Sequence, residues 1–352
     1  MPVSGLLRPV SMRNHHSIIS PRSPRKQQYL KIAMFTYQRW KKNEPEPITQ
    51  HYFEYVDGVW SPIEPGSCAN NAVEALAKLS ILSWNIDFMR NLQEARMKAA
   101  LNHVRELVKR NEPLPCVVMF NEMVEGDLKL IMTQDWIQKG YRITDISNLY
   151  WDSPRYGTTM LVHKSIPVKS IFRVHYANTS MGRDVLFADI ELPHENVLRI
   201  GSTHLESLIA GPPKRPSQLA TAASYMHKVH AGIIGGDMNA IEPFDKTLHL
   251  DNKLKDAYLE TGGKECSDAG MTWGQMASRW SRERYGLTRM DKLMFCGCLE
   301  VESFETFGMD VEVEDEGDRK KLIEDTSADI EKAWVTDHLG VKAVFNLVVP
   351  PS

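Results

Sequence analysis

The stretch "VLRIGSTHLES", residues 197–207, starts as a buried strand with Val197, Leu198 and Ile200. It then runs into Ser202, Thr203, His204, Glu206 and Ser207. A polar turn accounts for one such ending, because loops are polar. The same transition recurs along the chain, however. The run "LSILSW" at 79–84 ends in Asn85 and Asp87, "CVVMF" at 116–120 in Asn121 and Glu122, and "GIIG" at 232–235 in Asp237 and Asn239. Asp291 lies in the run at 290–296, and Thr336, Asp337 and His338 precede the run at 339–348. Six ends of this kind exceed turn chemistry. Strand ends on one edge of a sheet converge, and ligands bind there. These groups are therefore expected to meet in one cleft.

Further apolar runs at 159–163 and 185–192 also read as strands. Helical periods lie between some of the runs. Residues 93–110 place Met97, Leu101, Val104 and Val108 on one face, and 216–230 place Leu219, Ala222, Met226 and Val229 on one face, with Pro216 near the start. Strands and helices mixed in this way predict a layered α/β domain. No repeat of fixed period is present.

Composition bounds the partners. The chain has 352 residues and a net charge of −3, so no global field points to nucleic acid. Its five cysteines are odd in number and form no CxxC pair, which argues against a disulfide framework or zinc site. No apolar run approaches the roughly 20 residues of a membrane helix, and no apolar signal segment opens the chain. Residues 1–42 contain no Asp or Glu and are rich in Arg, Lys, Ser and Pro. They read as a disordered basic tail, with an organelle transit peptide or nuclear address as the functional alternative. Residues 43–77 read as an accessory segment and linker, with a hairpin signal at Asp57-Gly58. The main domain is expected over 78–352. Within it the acidic patch at 310–331 reads as a solvated surface loop inserted before the last strand.

Asp, Glu and Asn supply hard oxygen ligands, which suit Mg²⁺ or Mn²⁺ and not zinc. A divalent ion, a basic group that activates water and a cationic His are the equipment for phosphoester hydrolysis. A serine hydrolase would want a G-x-S-x-G elbow, which is absent, as are P-loop and G-x-G-x-x-G signatures.

Taken in order, "SWNID", "FNEM", "STHLES", "GGDMN", "RMDKLMF" and "TDHLG" resemble the motifs of the endonuclease/exonuclease/phosphatase superfamily. The resemblance runs from residue 83 to 340. The WNID form, the "MGR" at 181–183, THLES and Thr272-Trp273 look most like its 5′-tyrosyl-DNA phosphodiesterase group. That likeness implies a four-layer α/β sandwich, with two face-to-face mixed sheets flanked by helices. It also implies a Mg²⁺-dependent enzyme, with Mn²⁺ as a substitute, acting on single-stranded or frayed 5′ DNA ends. A monomer without membrane contact is expected, nuclear or else cytoplasmic, with mitochondrial targeting by the tail left open. RNA, a nucleotide, an inositol phosphate or a phospholipid head group remain as other substrates, and a non-catalytic nucleic-acid-binding relative as the third class.

The resemblance also assigns roles. Glu122 matches the metal-binding Glu, Asn85 an Asn touching metal or phosphate, and Asp337 and Asp87 lie near the metal. Asp237 matches the residue that orients or deprotonates the attacking water, with Asn239 holding phosphate beside it. His338 matches the His facing the phosphoryl oxygens, oriented by Asp291. His204 and Ser207 match phosphate contacts, Arg183 a grip on phosphate or leaving group, and Trp273 the substrate groove. Three motifs depart from the pattern: NE stands for QE at 121–122, "AIEPFD" for LRD after residue 239, and TWG for TWD at 272–274. The last two bear on substrate contacts. Asn121 reads as a turn former, and Glu125 and Asp127 as charges favouring a helix N-terminus. Arg279, Arg282, Arg284 and Arg289 either form a solvated face or line a DNA backbone. Trp273 and Trp280 either stack on bases or pack in the core. Lys214 and Arg215 sit on a loop placed to clamp substrate.

Overall fold

The computed structural model describes residues 45–64 and 76–348. The tail at 1–42 and most of the linker preceding residue 76 lie outside the described residues. The strands are β1 (Pro47–Gln50), β2 (Tyr52–Val56), β3 (Val59–Ile63), β4 (Lys78–Asn85), β5 (Cys116–Met123), β6 (Tyr141–Ile143), β7 (Gly157–His163) and β8 (Val168–His175). They continue with β9 (Asp184–Glu191), β10 (Val197–His204), β11 (Ala231–Asp237), β12 (Lys255–Asp256), β13 (Asp291–Gly297), β14 (Leu299–Phe307) and β15 (Gly340–Leu347). One sheet runs β1-β8-β9-β10-β11-β13-β12 and the other β14-β15-β4-β5-β7-β6-β2-β3. Each is mixed: β10–β11 and β4–β5 are parallel, and the remaining pairs are antiparallel.

Alternation along the strands explains the four layers. Leu79 and Ile81 of β4, Val117 and Met119 of β5, Leu198 and Ile200 of β10, Ile233 of β11 and Phe295 of β13 form one core between the sheets. The other parity faces outward. Leu82, Trp84, Val118 and Phe120 pack beneath α1 (Gln93–Arg110) and α2 (Glu125–Thr133) through Met97, Leu101, Val104 and Leu128. Val185, Phe187 and Ile234 pack beneath α4 (Arg215–Met226), which follows the short α3 (Asp135–Gly140), through Leu219, Ala222 and Met226. Strands apolar on both faces read as continuous runs, which is how 79–84 and 116–120 appear in the sequence.

The inward parity then changes character at one end. On β10 it reads Leu198, Ile200, Ser202, His204; on β11 Ala231, Ile233, Gly235, Asp237; on β5 Val117, Met119, Asn121; on β4 Leu79, Ile81, Ser83, Asn85. The slot between the sheets is apolar at one end and polar at the other. That gradient answers the question raised by 197–207.

Several details differ from the reading above. In 43–77, β1 joins the edge of the first sheet while β2 and β3 complete the edge of the second, so this segment supplies strands to both. Asp57 and Gly58, at φ 50° and 82°, form the two-residue turn of the β2–β3 hairpin. The acidic patch at 310–331 contains a helix, Glu316–Glu324, capped by the Asp315 carboxylate, which accepts from the Asp318 amide at 2.9 Å. It folds because Leu322 and Val313 pack with Ala333. The helix predicted over 216–230 stops at Met226.

Candidate active site

Asp237 occupies the centre of the polar end. It closes β11, beside His204 on β10 and opposite Asp291 on β13. Its Oδ2 accepts from Asn85 Nδ2 at 3.0 Å, and its Oδ1 from the Asn239 amide at 2.8 Å. Two imidazoles face the same Oδ2: His204 Nε2 at 3.3 Å and His338 Nε2 at 3.8 Å. Burial alone would raise the Asp237 pKa. The positive charge of His338, followed by His204 and the hydrogen bonds, outweighs it and holds the carboxylate well below its usual range. The group is therefore ionised and oriented.

The two histidines differ in state. His338 Nδ1 donates to Asp291 Oδ2 at 2.8 Å, and its Nε2 lies 3.9 Å from Asp337 Oδ1. Burial opposes charge on this ring, but Asp291, Asp237 and Asp337 reverse the balance and raise its pKa well above the ordinary value. These surroundings favour the charged ring. His204 has the opposite surroundings. Burial and the neighbouring Arg183 push it down to about 4. Arg183 Nη1 donates to His204 Nδ1, and a guanidinium cannot accept, so the network assigns the ring proton to Nε2, facing Asp237. Arg183 lies 5.0 Å over the Tyr156 ring and its Nη2 donates to Ser207 Oγ at 3.4 Å.

The carboxylates gather on one wall. Glu122 leaves the regular strand: the β5–β7 register shifts between Phe120 and Met123, and Glu122 takes φ 59°. Its Oε2 accepts from the Phe88 amide at 3.1 Å, and its Oε1 lies 3.8 Å from His204 Nε2. Asp87 also has positive φ, 56°, and accepts from the amides of Met89 and Arg90 at 3.0 and 3.3 Å. Burial, with Asp87 beside it, pushes Glu122 up to about 7. Burial, with Asp337 beside it, raises Asp87 in turn. Half-buried carboxylates that raise one another's proton affinity make a pocket suited to a divalent cation with oxygen ligands. Asp237, Asp291 and His338 also bring ligand atoms within 4.8 Å of one another. In this cluster His338 Nδ1 is already engaged by Asp291 Oδ2 at 2.8 Å.

All twelve residues singled out in the sequence lie in this one network. Trp273 joins it through Nε1, which donates to Asp337 Oδ2 at 2.8 Å. Other supporting residues were not assigned from sequence. Asn121 is no turn former: it is fully buried, and its Oδ1 accepts from the Asp237 amide at 3.0 Å, tying the two sheets together behind the site. Thr336 Oγ1 donates to the Asn85 carbonyl at 2.8 Å, Thr272 Oγ1 accepts from the Asp291 amide at 2.9 Å, and Trp84 Nε1 donates to the His338 carbonyl at 3.0 Å. Thr272, Thr336 and Trp84 each stand in a motif letter, which was the available signal.

Four of the other candidates, Arg215, Lys214, Arg289 and Arg282, are held by acids. Arg215 is buried and paired with Asp245 and Glu242 at 2.7 and 2.9 Å, and Lys214 reaches Glu206 at 3.3 Å. Arg289 is buried against Asp256 at 2.8 Å and Glu265, and Arg282 pairs with Glu331. Asp127 Oδ2 accepts from the Val124 amide at 2.8 Å at the start of α2, as expected of a helix N-terminus. Trp280 is 57% exposed and lies 5.8 Å from Tyr285, which is 6.4 Å from Trp273.

The family model described as Endonuclease/Exonuclease/phosphatase family matches residues 82–338. No curated protein sequence matches the chain. Among solved structures, D. rerio TDP2 complexed with single strand DNA product is 18% identical, covers 76% of this chain and 99% of its own, and has a TM-score of 0.56. Truncated Caenorhabditis elegans TDP2 is 21% identical over 76% and 97%, with a TM-score of 0.55. The human Nocturnin catalytic domain with bound sulfate is 15% identical over 79% and 97%, with a TM-score of 0.52. At these identities the likeness is one of fold.

Proposed function

The chain belongs to the Endonuclease/Exonuclease/phosphatase family, whose members hydrolyse phosphoric esters, and from that premise we propose a divalent-metal-dependent phosphodiesterase acting at 5′ DNA ends. The observation that carries the reading is the geometry of the pair: His338 Nε2 lies 3.8 Å from Asp237 Oδ2, with the ring's Nδ1 on Asp291. A base and a cation held together in a buried site are what attack on a phosphodiester requires.

In this reading Asp237 orients water and takes its proton. Asn85 and Asn239 fix the carboxylate, and Asn121 fixes the strand that carries it. His338 stabilises negative charge developing on a phosphoryl oxygen, with Asp291 keeping its ring charged and aimed. Arg183, His204 and Ser207 bind phosphate oxygens on the opposite wall. Glu122, Asp87, Asp337 and Asn85 would hold Mg²⁺ or Mn²⁺. Bound there, such an ion supplies Lewis-acid charge for the phosphoryl group.

The DNA-end substrate is supported by the WNID, MGR and THLES motifs and by the structural likeness to a TDP2 that carries a single-stranded DNA product. Exposed Trp280 beside Tyr285 and Arg284 adds sequence-tolerant stacking chemistry. Incubation with a 5′-tyrosyl oligonucleotide and Mg²⁺ tests it. Release of a 5′-phosphate end is expected. Activity on other phosphodiesters without that release would reject the DNA-end substrate and keep the chemistry.

A further inference from the structure

Two residues beyond His204, the carboxylate of Glu206 is 3% exposed and receives four donors. Oε2 accepts from Thr179 Oγ1 at 2.7 Å and from Gln218 Nε2 at 3.2 Å. Oε1 accepts from the Ser180 amide at 2.8 Å and from Lys214 Nζ at 3.3 Å. These partners come from two other places in the chain. Thr179 and Ser180 lie on the loop between β8 and β9, while Lys214 and Gln218 lie at the start of α4. Gln218 closes the knot: its Oε1 accepts from the Glu206 amide at 2.7 Å and its Nε2 donates to the Asn178 carbonyl at 2.8 Å.

The loop held in this way is the one that delivers Arg183. Having donated its proton to Glu206, the Thr179 hydroxyl accepts from the backbone amides of Arg183 at 3.0 Å and Met181 at 3.2 Å. One path thus runs from the Glu206 carboxylate through a hydroxyl to the Arg183 amide, while the Arg183 carbonyl accepts from the Tyr176 amide at 3.1 Å. The Arg183 side chain then turns onto His204 and Ser207. A buried carboxylate with four donors is held in one geometry, since each charged hydrogen bond resists displacement. The side-chain bonds of Glu206 and Thr179 described here run to the β8–β9 loop and the start of α4, not to His204, Ser207 or Asp237.

We propose that Glu206 is a positioning residue that sets the β8–β9 loop so that the Arg183 guanidinium meets the phosphate beside His204. This rests on the phosphodiesterase reading above. The THLES end is then a two-part device: His204 and Ser207 face the slot, and Glu206 faces away and anchors the arginine that joins them. A misplacement of about 1 Å at such a group costs on the order of 100-fold in rate.

The test uses the full chain with Glu206→Gln, and Thr179→Val as a second variant should the first fail to fold. A small chromogenic phosphodiester with Mg²⁺ serves as substrate, so the DNA-end specificity is not needed. The expected result is a fall in kcat of about 10- to 100-fold with a smaller change in KM. On an Arg183→Ala background, the same substitution should add less than about threefold, because the two residues act through one contact. Hydrogen exchange at the Ser180, Met181 and Arg183 amides should rise about tenfold or more while β10 amides stay protected. Unchanged exchange at those amides, or full additivity with Arg183→Ala, overturns the proposal. A wild-type protein inactive on every phosphodiester would overturn the functional reading instead, and the exchange measurement, which needs no substrate, would still decide the anchoring.

Discussion

His338 Nδ1 donates to Asp291 Oδ2 across 2.8 Å in a site where both side chains are buried. The bond crosses between elements: Asp291 opens β13 in one sheet, and His338 stands two residues before β15 in the other. The pair therefore depends on how the sheets stack. Any change that slides one sheet over the other uncouples the ring from its carboxylate.

Removing the imidazole should cost more than removing its partner. For His338→Gln, loss of an aimed cation at the phosphoryl oxygen predicts a kcat fall of about 100- to 1000-fold. For Asp291→Asn, the ring stays in place but loses its orienting charge, and a fall of about 10- to 100-fold is expected. KM should move little in either. Steady-state kinetics on a small phosphodiester checks the order of the two. An Asp291→Asn variant slower than His338→Gln would contradict the division of roles.

The glycines of "GGD" owe their place to packing rather than chemistry. Gly236 has φ 141°, and a Cβ there would come within 1.7 Å of the Thr203 carbonyl oxygen on the paired strand. Gly235 points inward, where a Cβ would meet Leu293 at 2.5 Å and Met119 at 3.1 Å. Gly236→Ala must break the β10–β11 ladder beside Asp237, and a loss of about 3 kcal/mol or more is expected, enough to cost folded protein. Gly235→Ala overfills the core and should cost about 1–3 kcal/mol. Chemical denaturation of both variants tests the ranking.

These cases show what the sequence could carry. The central strands were legible because both faces are apolar, and the polar residues that end them mark the site. The edge strand β14 was not, although the edge hairpin β2–β3 showed through its Asp57-Gly58 turn. In β14, Glu300, Glu302 and Glu305 alternate toward solvent, so "LEVESFETF" has no apolar run to find. The helix at 316–324 hides in acidic composition, since it packs mainly through Leu322. Asn121 looked like a turn former because its partner, the Asp237 amide, is 116 residues away on the other sheet. Arg215 read as a substrate clamp, and Arg289 as either a solvated face or a DNA-backbone contact, because the acids that bury them, Asp245 and Asp256, come together with them only in the fold.

Crowding of Glu122, Asp87 and Asp337 predicts a readout of metal binding that needs no turnover. A cation that binds only the folded state stabilises it by about 2.7 kcal/mol at 100 times its Kd. Mg²⁺ or Mn²⁺ should raise the Tm of the wild type, and EDTA should reverse the shift and abolish activity. Glu122→Gln removes one carboxylate and should shrink the metal-dependent shift. Equal shifts in wild type and variant would place the ion elsewhere.

Glu206 should also leave a mark on stability against pH. Burial opposes its ionisation, but the bonds from Thr179, Ser180 and Gln218, together with Lys214, prevail and lower its pKa below the ordinary glutamate value. A carboxyl whose folded pKa is depressed contributes stability above its unfolded pKa, roughly 4.3, and loses it as pH falls through the folded value. The wild type should therefore lose Tm below about pH 4.3. Glu206→Gln cannot titrate there: it should start from a lower Tm at pH 7 and show a shallower decline in the acid range. Arg183→Ala keeps the Glu206 knot, so its acid decline should follow the wild type. If Glu206→Gln declined as steeply as the wild type, the acid sensitivity would belong to other carboxylates and the knot would contribute little to the fold.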